Sequence, residues 1–332
     1  MRPLSRSGSS LTAKAHLARP CESSGGEDLR RSRISRVTVQ EPLSAPLDDA
    51  VALDAAVPHD LDWSLPPLGS VASRFAAPSG ELAVVSLGDP ADPRVVLVPG
   101  VSGSKEDFAL VLPVLAASGY YVQSYDLAGN YESADAGPPA GVHYSYELFA
   151  DDLIAFLESG GPAHLLGYSF AGTIAEIVTV QRPELVLSLA LLATPPEPGN
   201  GFRGVKILGP FTWMATGGVG ASLMRWGIVT NKNHVPQTRL DFVRMRFEKT
   251  TMRSMADIIT LMKRAPELRP QLRDAAIPKL VAVGSHDLWP VELHAELAER
   301  IGARLAVYDT GHSPCETTPH QLARDLLRLY RS

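Results

Sequence analysis

The sequence predicts an α/β fold with a mostly parallel central sheet, flanking helices and one inserted helical layer. Three observations lead there. Short apolar runs alternate with segments of helical period from about Ser70 to the C-terminus. The run Arg94-Val95-Val96-Leu97-Val98 is apolar without interruption after its first residue, as in strands buried on both faces of a parallel sheet. Between Pro195 and about Pro270 the alternation stops and only helical spacing remains.

In chain order, Val71 to Ala76 reads as a strand, Pro78-Ser79-Gly80-Glu81 as a turn and Leu82 to Ser86 as the returning strand of a hairpin. Arg94 to Val98 is the next strand, ending at Pro99-Gly100. Lys105 to Ser118 sets Phe108, Leu110, Val111, Val114 and Leu115 at helical spacing, and Tyr120 to Tyr125 returns as a strand that ends at Asp126. A helix over Tyr146 to Glu158, a strand over His164 to Tyr168, a helix over Phe170 to Gln181 and a strand over Leu185 to Leu192 continue the pattern. Helices are expected near Ala221 to Ile228, Thr238 to Glu248 and Met252 to Arg264. Strand and helix then resume with Lys279 to Val283, Val291 to Ile301, Arg304 to Tyr308 and Pro319 to Tyr330.

These divisions give an N-terminal extension over residues 1–65, a first part of the core over 66–196, a helical cap insertion over 197–270 and the rest of the core over 271–332. The extension is rich in Ser, Arg, Pro and Ala without a sustained period, so it is read as disordered. Its Arg- and Ser-rich start superficially suits a transit peptide, but it has no apolar stretch of signal-peptide type.

A net charge of −5 with 45% hydrophobic residues excludes the strong basic excess of a nucleic-acid binder. Cys21 and Cys315 are the only cysteines, too few for a disulfide framework or a thiolate metal cluster, which favours a reducing compartment such as the cytoplasm. No run approaches the ~18–20 apolar residues that cross a bilayer, so a soluble protein with no membrane span is expected. No metal or cofactor is expected. A small-molecule substrate is, and the oligomeric state stays open.

The chemistry-bearing residues lie where strands end. Gly167-Tyr168-Ser169-Phe170-Ala171-Gly172 follows an apolar strand and opens a helix, the setting of a G-x-S-x-G nucleophile elbow. Small residues at Gly167, Ala171 and Gly172 permit the close approach such a turn needs, and the helix start would offer the Phe170 N–H to a developing oxyanion. Asp287 follows the strand Lys279 to Val283, and His312 follows the strand Arg304 to Tyr308, so acid and base reach the same sheet edge as Ser169. The chain order is Ser, Asp, His.

On these motifs the segment from about 70 to 332 resembles the α/β-hydrolase superfamily, in its cap-bearing branch of esterases, lactonases, carbon–carbon bond hydrolases and cofactor-free haloperoxidases. Supporting stretches are Pro99-Gly100-Val101-Ser102-Gly103-Ser104 in place of the oxyanion loop and Asp126-Leu127-Ala128-Gly129 after the next strand. The resemblance implies Ser169 as nucleophile, His312 as base, Asp287 as the residue that orients it, and the Val101 and Phe170 N–H groups as oxyanion donors. Two departures stand out: the family's His-Gly is Pro99-Gly100 here, and its Gly-His-Gly is Gly129-Asn130-Tyr131.

Rival assignments are weaker. His286 adjoins Asp287, but neighbouring loop residues rarely aim at one another; Glu197 is the only substitute acid after the strand Leu185 to Leu192; Cys315 has no elbow. All methionines except Met1 lie in the insertion, with Phe211, Trp213, Trp226, Phe242 and Phe247, which suits either lid core or a wall for an apolar substrate. The insertion is also basic: Arg239, Arg244, Arg246, Lys249, Arg253, Lys263 and Arg264 outnumber Asp241, Glu248 and Asp257, a solvated face or an attraction for anions. Gly217 to Gly220 would make a flexible or simply connecting loop.

The expected activity is hydrolysis of a carboxylic ester or related carbonyl bond through an acyl-enzyme. Alternatives on the same triad are perhydrolase or haloperoxidase-like chemistry and carbon–carbon bond hydrolysis; a non-catalytic ligand-binding protein is the alternative of another class. Dehalogenases and epoxide hydrolases of this superfamily use an Asp nucleophile, and the elbow here carries Ser169.

Overall fold

The computed structural model describes residues 49–58, 60–203, 205 and 237–332. Its strands are β1 (Val71–Ala77), β2 (Gly80–Leu87), β3 (Arg94–Val98), β4 (Tyr121–Tyr125), β5 (Ala163–Tyr168), β6 (Val186–Leu192), β7 (Lys279–Gly284) and β8 (Arg304–Tyr308). The helices among the described residues are α1 (Ala50–Ala55), α2 (Val111–Ala117), α3 (Tyr146–Gly160), α4 (Phe170–Gln181), α5 (Gln237–Lys249), α6 (Met252–Met262), α7 (Arg269–Asp274), α8 (Val291–Ile301), α9 (Pro314–Thr317) and α10 (Pro319–Tyr330).

The strands form one eight-stranded sheet in the order β1-β2-β4-β3-β5-β6-β7-β8. Only the pairs β1–β2 and β2–β4 are antiparallel. β3 explains why the apolar run is continuous. Its side chains alternate between two cores, Val96 and Val98 toward one face and Val95 and Leu97 toward the other. The first core is closed by α3, α4 and α8, the second by α2 and α10. Each buried Val or Leu of this kind is worth about 1.5–3 kcal/mol.

The strand order turns back at β3, which lies between β4 and β5. Chains that leave neighbouring strands in opposite directions open a crevice at the carboxyl ends of those strands. Here the loops that begin it are Pro99 to Gly103 after β3 and Ser169 after β5.

The segment expected as one helix over Lys105 to Ser118 is split into a 3-10 turn, Lys105–Phe108, and α2. Pro113 supplies the reason. Without an N–H it is tolerated only in a first turn, so the α-helix starts at Val111 and places Pro113 third. In the region expected as the insertion, α5 and α6 occupy nearly the expected spans. The helix expected over Ala221 to Ile228 and the Gly217 to Gly220 loop lie outside the described residues.

The disordered extension expected through residue 65 needs correction. Residues 1–48 lie outside the described part, but α1 packs on α10, and Leu61 and Trp63 are buried with Tyr131 and Phe242. Asp54 fastens this segment. Its carboxylate accepts the N–H of His320 at 2.7 Å and of Gln321 at 3.2 Å, the orphan donors of the first turn of α10. Thr318, which precedes that helix, makes no side-chain cap. A cap supplied from 266 residues away leaves no local signature in sequence.

Asp54→Ala should therefore lower stability by about 1–2 kcal/mol, the usual cost of losing an N-cap, read as a fall in urea midpoint at unchanged slope. An unchanged midpoint would show that water caps α10 equally well.

Candidate active site

Ser169 sits in the single residue between β5 and α4, with φ 53° and ψ −121°. A non-glycine residue held there stores about 1–3 kcal/mol of strain, which surrounding packing must hold. That packing leaves no room for side chains: a Cβ on Gly167 would lie 2.4 Å from the Ala171 carbonyl oxygen, and one on Gly172 would lie 1.8 Å from Thr194 Oγ1. The Ser169 N–H donates to the Leu192 carbonyl at 2.8 Å, which ties the turn to the end of β6.

Asp287 and His312 come from adjacent loops that are bonded to each other. Ser285 N–H donates to the Tyr308 carbonyl at 2.7 Å and His286 N–H to the Thr310 carbonyl at 2.9 Å. Between these loops, His312 Nδ1 lies 2.9 Å from Asp287 Oδ1, and His312 Nε2 lies 3.2 Å from Ser169 Oγ. Asp287 is buried, and its Oδ1 also accepts the Leu288 N–H. Its Oδ2 is buried with no hydrogen-bond partner among the described residues.

The imidazole is held from its sides as well. Trp289 and Tyr168 lie with ring centroids 5.7 and 5.5 Å from that of His312. Trp289 Nε1 donates to the Gly201 carbonyl at 2.8 Å, and the Tyr168 hydroxyl is 2.9 Å from Ser313 Oγ. Neither aromatic residue was singled out by the sequence reading, although Tyr168 stands inside the elbow motif and Trp289 lies two positions after Asp287. Their contact with the ring follows from loop shape, which residue order does not reveal.

Val101 lies in the turn that follows β3. The Gly103 N–H closes this turn on the Gly100 carbonyl at 3.0 Å, with Ser102 at φ 54°. Gly100 is pressed against the Ser169 turn, since a Cβ there would meet Ser169 Cβ at 3.0 Å and the Tyr168 carbonyl at 3.1 Å. In this loop the position that has to stay small is Gly100. Phe170 is the first residue of α4 and fully buried, and a first-turn N–H has no partner within its own helix.

The rival residues sit elsewhere. His286 is mostly exposed and faces Asp309 at 3.3 Å. Glu197 pairs with Arg269 at 3.6 Å and lines a small polar cavity together with Thr173 and Glu176. Burial pushes the Cys315 thiol well above its usual range, which leaves it inert.

Three comparisons extend the geometry. Residues 95–325 match the model of the alpha/beta hydrolase family. Among curated proteins, the chain is 31% identical over 125 residues to bifunctional epoxide hydrolase 2 of Sus scrofa, covering 37% of this chain and 22% of that protein. It is 32% identical over 119 residues to the sn-1-specific diacylglycerol lipase ABHD11 of Mus musculus, covering 34% and 37%. The matched part is thus well under half the length of either relative. Among solved structures, a putative aryl esterase from Burkholderia cenocepacia superposes with a TM-score of 0.62 at 20% identity, covering 79% of this chain and 98% of that one. An enol-lactonase from Burkholderia xenovorans gives 0.60 at 21%, covering 78% and 100%. Such identities speak for the fold alone. No helix among the described residues is long and apolar enough to cross a membrane.

Two outcomes follow from the packing around α4. Gly172→Ala should lose most activity and at least about 2 kcal/mol of stability, because its Cβ collides with Thr194; wild-type behaviour would show that the elbow can relax. Glu176, buried on α4, has its carboxyl pushed up to about 8 from the usual 4.5, by desolvation against the pull of Arg269. A raised acid favours the fold at low pH, and that contribution is lost as pH rises toward 8 and beyond. Glu176→Gln should therefore gain on wild type in melting temperature from about pH 5 to about pH 9, and a constant difference across that range would refute the assignment.

Proposed function

Because the chain belongs to the alpha/beta hydrolase family, we propose that it is a serine hydrolase that cleaves a carboxylic ester or related carbonyl bond of an apolar small molecule through an acyl-enzyme. The observation that carries this reading is the path Ser169 Oγ, His312 Nε2, His312 Nδ1, Asp287 Oδ1, with steps of 3.2 and 2.9 Å on either side of the ring, at a strained strand-to-helix turn.

In this reading the Nδ1–H tautomer of His312 donates to Asp287, which leaves Nε2 free to take the Ser169 proton as Oγ attacks the carbonyl carbon. The charge that develops on the carbonyl oxygen is held by the N–H groups of Val101 and Phe170, each worth about 3 kcal/mol in the transition state. His312 then returns its proton to the leaving group. Water, activated by the same imidazole, releases the acyl group and restores Ser169. No step calls for a metal or cofactor.

An apolar substrate is supported by the surroundings of Val101. Phe247 on α5 and Met255 and Ile259 on α6 form a cluster against which Val101 and Phe202 pack. These residues come from the region read as a cap. The epoxide hydrolase relative does not redirect the proposal, since an alkyl-enzyme route in this superfamily begins at an Asp and position 169 is Ser.

Labelling of the purified protein with a fluorophosphonate tests the reading without knowledge of the substrate. Wild type should label, while Ser169→Ala and His312→Ala should not, and Asp287→Asn should label at least about 10³-fold more slowly, its imidazole held in the wrong tautomer. A folded wild type that fails to label would move the assignment to a ligand-binding protein.

A further inference from the structure

We propose that Asp107, Arg239, Arg246 and Glu316 form a positioning cluster that holds the two loops carrying Val101 and His312 in register, which makes α5 a fixed wall of the site. The proposal rests on the serine hydrolase reading for its catalytic part and on geometry for the rest. Arg239 and Arg246 stand seven residues apart on α5, two turns along one face. Both donate to Asp107 Oδ1, Arg239 Nη2 at 3.0 Å and Arg246 Nη1 at closer range. Arg239 also grips Glu316 with a fork: Nε donates to Oε2 at 3.0 Å and Nη2 donates to Oε1. Asp107, Arg239 and Arg246 are buried, and Trp63 covers Arg239 with its ring 4.5 Å from the guanidinium carbon.

Each acid stands just beyond a loop that the proposed chemistry needs, Asp107 in the 3-10 turn Lys105–Phe108 and Glu316 in α9. Asp107 Oδ2 accepts the Ser104 N–H at 3.3 Å, and Arg246 Nη1 donates to Ser104 Oγ at 3.2 Å. Ser104 directly follows the turn that presents Val101. The carboxylate lies so near this turn that a Cβ on Gly103 would come within 2.5 Å of Oδ2. On the other side, the Glu316 N–H donates to the carbonyl of Ser313, the residue after His312, at 3.0 Å. A single helix thus touches the loop of one oxyanion donor and the loop of the base.

Charge balance sets the rigidity. Two guanidinium groups meet two carboxylates. Burial would raise Asp107, but Arg246 and Arg239 outweigh it and hold its carboxyl below the ordinary range; desolvation pushes Glu316 up against the pull of Arg239. Withdrawing α5 would leave the buried Asp107 and the half-buried Glu316 without their cations, which disfavours that movement. Buried ion pairs add little stability beyond what an apolar contact would, but they fix direction and register as apolar contacts do not. The two arginines are also removed from the basic surface expected to draw anions, because their charge is spent inside.

The test compares wild type with Asp107→Asn, Arg246→Met and Arg246→Lys, using p-nitrophenyl butyrate turnover, fluorophosphonate labelling and amide hydrogen exchange. We expect Asp107→Asn and Arg246→Met to lower kcat about 10–100-fold with KM within about twofold, the signature of a misplaced loop rather than a lost binding contact. Arg246→Lys, which keeps the charge and replaces the guanidinium, should recover part of that loss. In both disruptive variants exchange should quicken over 100–107 and over 312–317 while β3 and β5 stay protected. Should Asp107→Asn not fold, Arg246→Lys still decides, since it keeps the charge and alters only the contacts of one side chain, to Asp107 and Ser104. Unchanged kcat in a labelling-competent background, or exchange that quickens in only one loop or throughout the protein, would overturn the cluster's role. Failure of wild type to label would overturn the catalytic reading alone, and the exchange result would still stand as a measure of the bridge.

Discussion

The backbone of Ser169 is held in a conformation it does not prefer, and much of the molecule is arranged around keeping it there. The turn is gripped from three sides: the Gly167–Ala171 approach below it, Thr194 against Gly172 behind it, and Gly100 against its Cβ from the neighbouring loop. Each grip comes from a different strand end, so the strained residue also fixes how β3, β5 and β6 finish relative to one another. The energy involved is small, about 1–3 kcal/mol, yet it is paid at one residue while many buried contacts hold it in place. That asymmetry is why a pattern of small residues around one Ser says more about architecture than the Ser does.

How much of this was legible in the sequence depends on how local the cause is. The strand β3 could be read from five letters because burial on both faces is recorded in each side chain. The elbow could be read because one of its exclusions, Gly167 against Ala171 and Gly172, acts within five positions of the chain, whereas those by Thr194 and Gly100 leave no such local mark. Asp287 and His312 were placed by strand ends and chain order, and their loops do meet. The break in the helix after Lys105 was also local, written in Pro113, but it was masked by an apolar spacing that runs through both pieces. Periodicity reports which face is buried and says nothing about a missing N–H.

What sequence did not show is made by partners far apart. Asp54 caps a helix near the other end of the chain, and Trp63 covers an arginine from α5. Residues 49–65 hold one Ser and no Arg, unlike the Ser- and Arg-rich stretch before them, but they carry no sustained period of their own and so group with it. Arg239 and Arg246 looked like part of a solvated basic face because their counterions, Asp107 and Glu316, are 132 and 77 positions away from Arg239. Charge patterning along one helix cannot distinguish a cation facing water from one facing a buried carboxylate. Only the contact does.

This redistribution of charge bears on what the proposed enzyme would recognise. With Arg239 and Arg246 neutralised internally, what α5 packs against Val101 is Phe247, and α6 adds Met255 and Ile259. A wall of that kind discriminates by shape and desolvation, at about 1–3 kcal/mol per methylene, or roughly 10- to 200-fold in kcat/KM. It cannot impose the much steeper selection that comes from leaving a buried polar group unpaired when the wrong molecule binds. In the proposed mechanism the polar commitments of the site are instead directed at the reaction and its scaffold: Asp287 at the imidazole, Val101 and Phe170 at the oxyanion, the four-charge cluster at the loops. The expected consequence is a catalyst whose chemistry is narrowly positioned while its acyl preference is graded, with selectivity adjustable at Phe247, Met255 or Ile259 without touching the residues that carry the reaction.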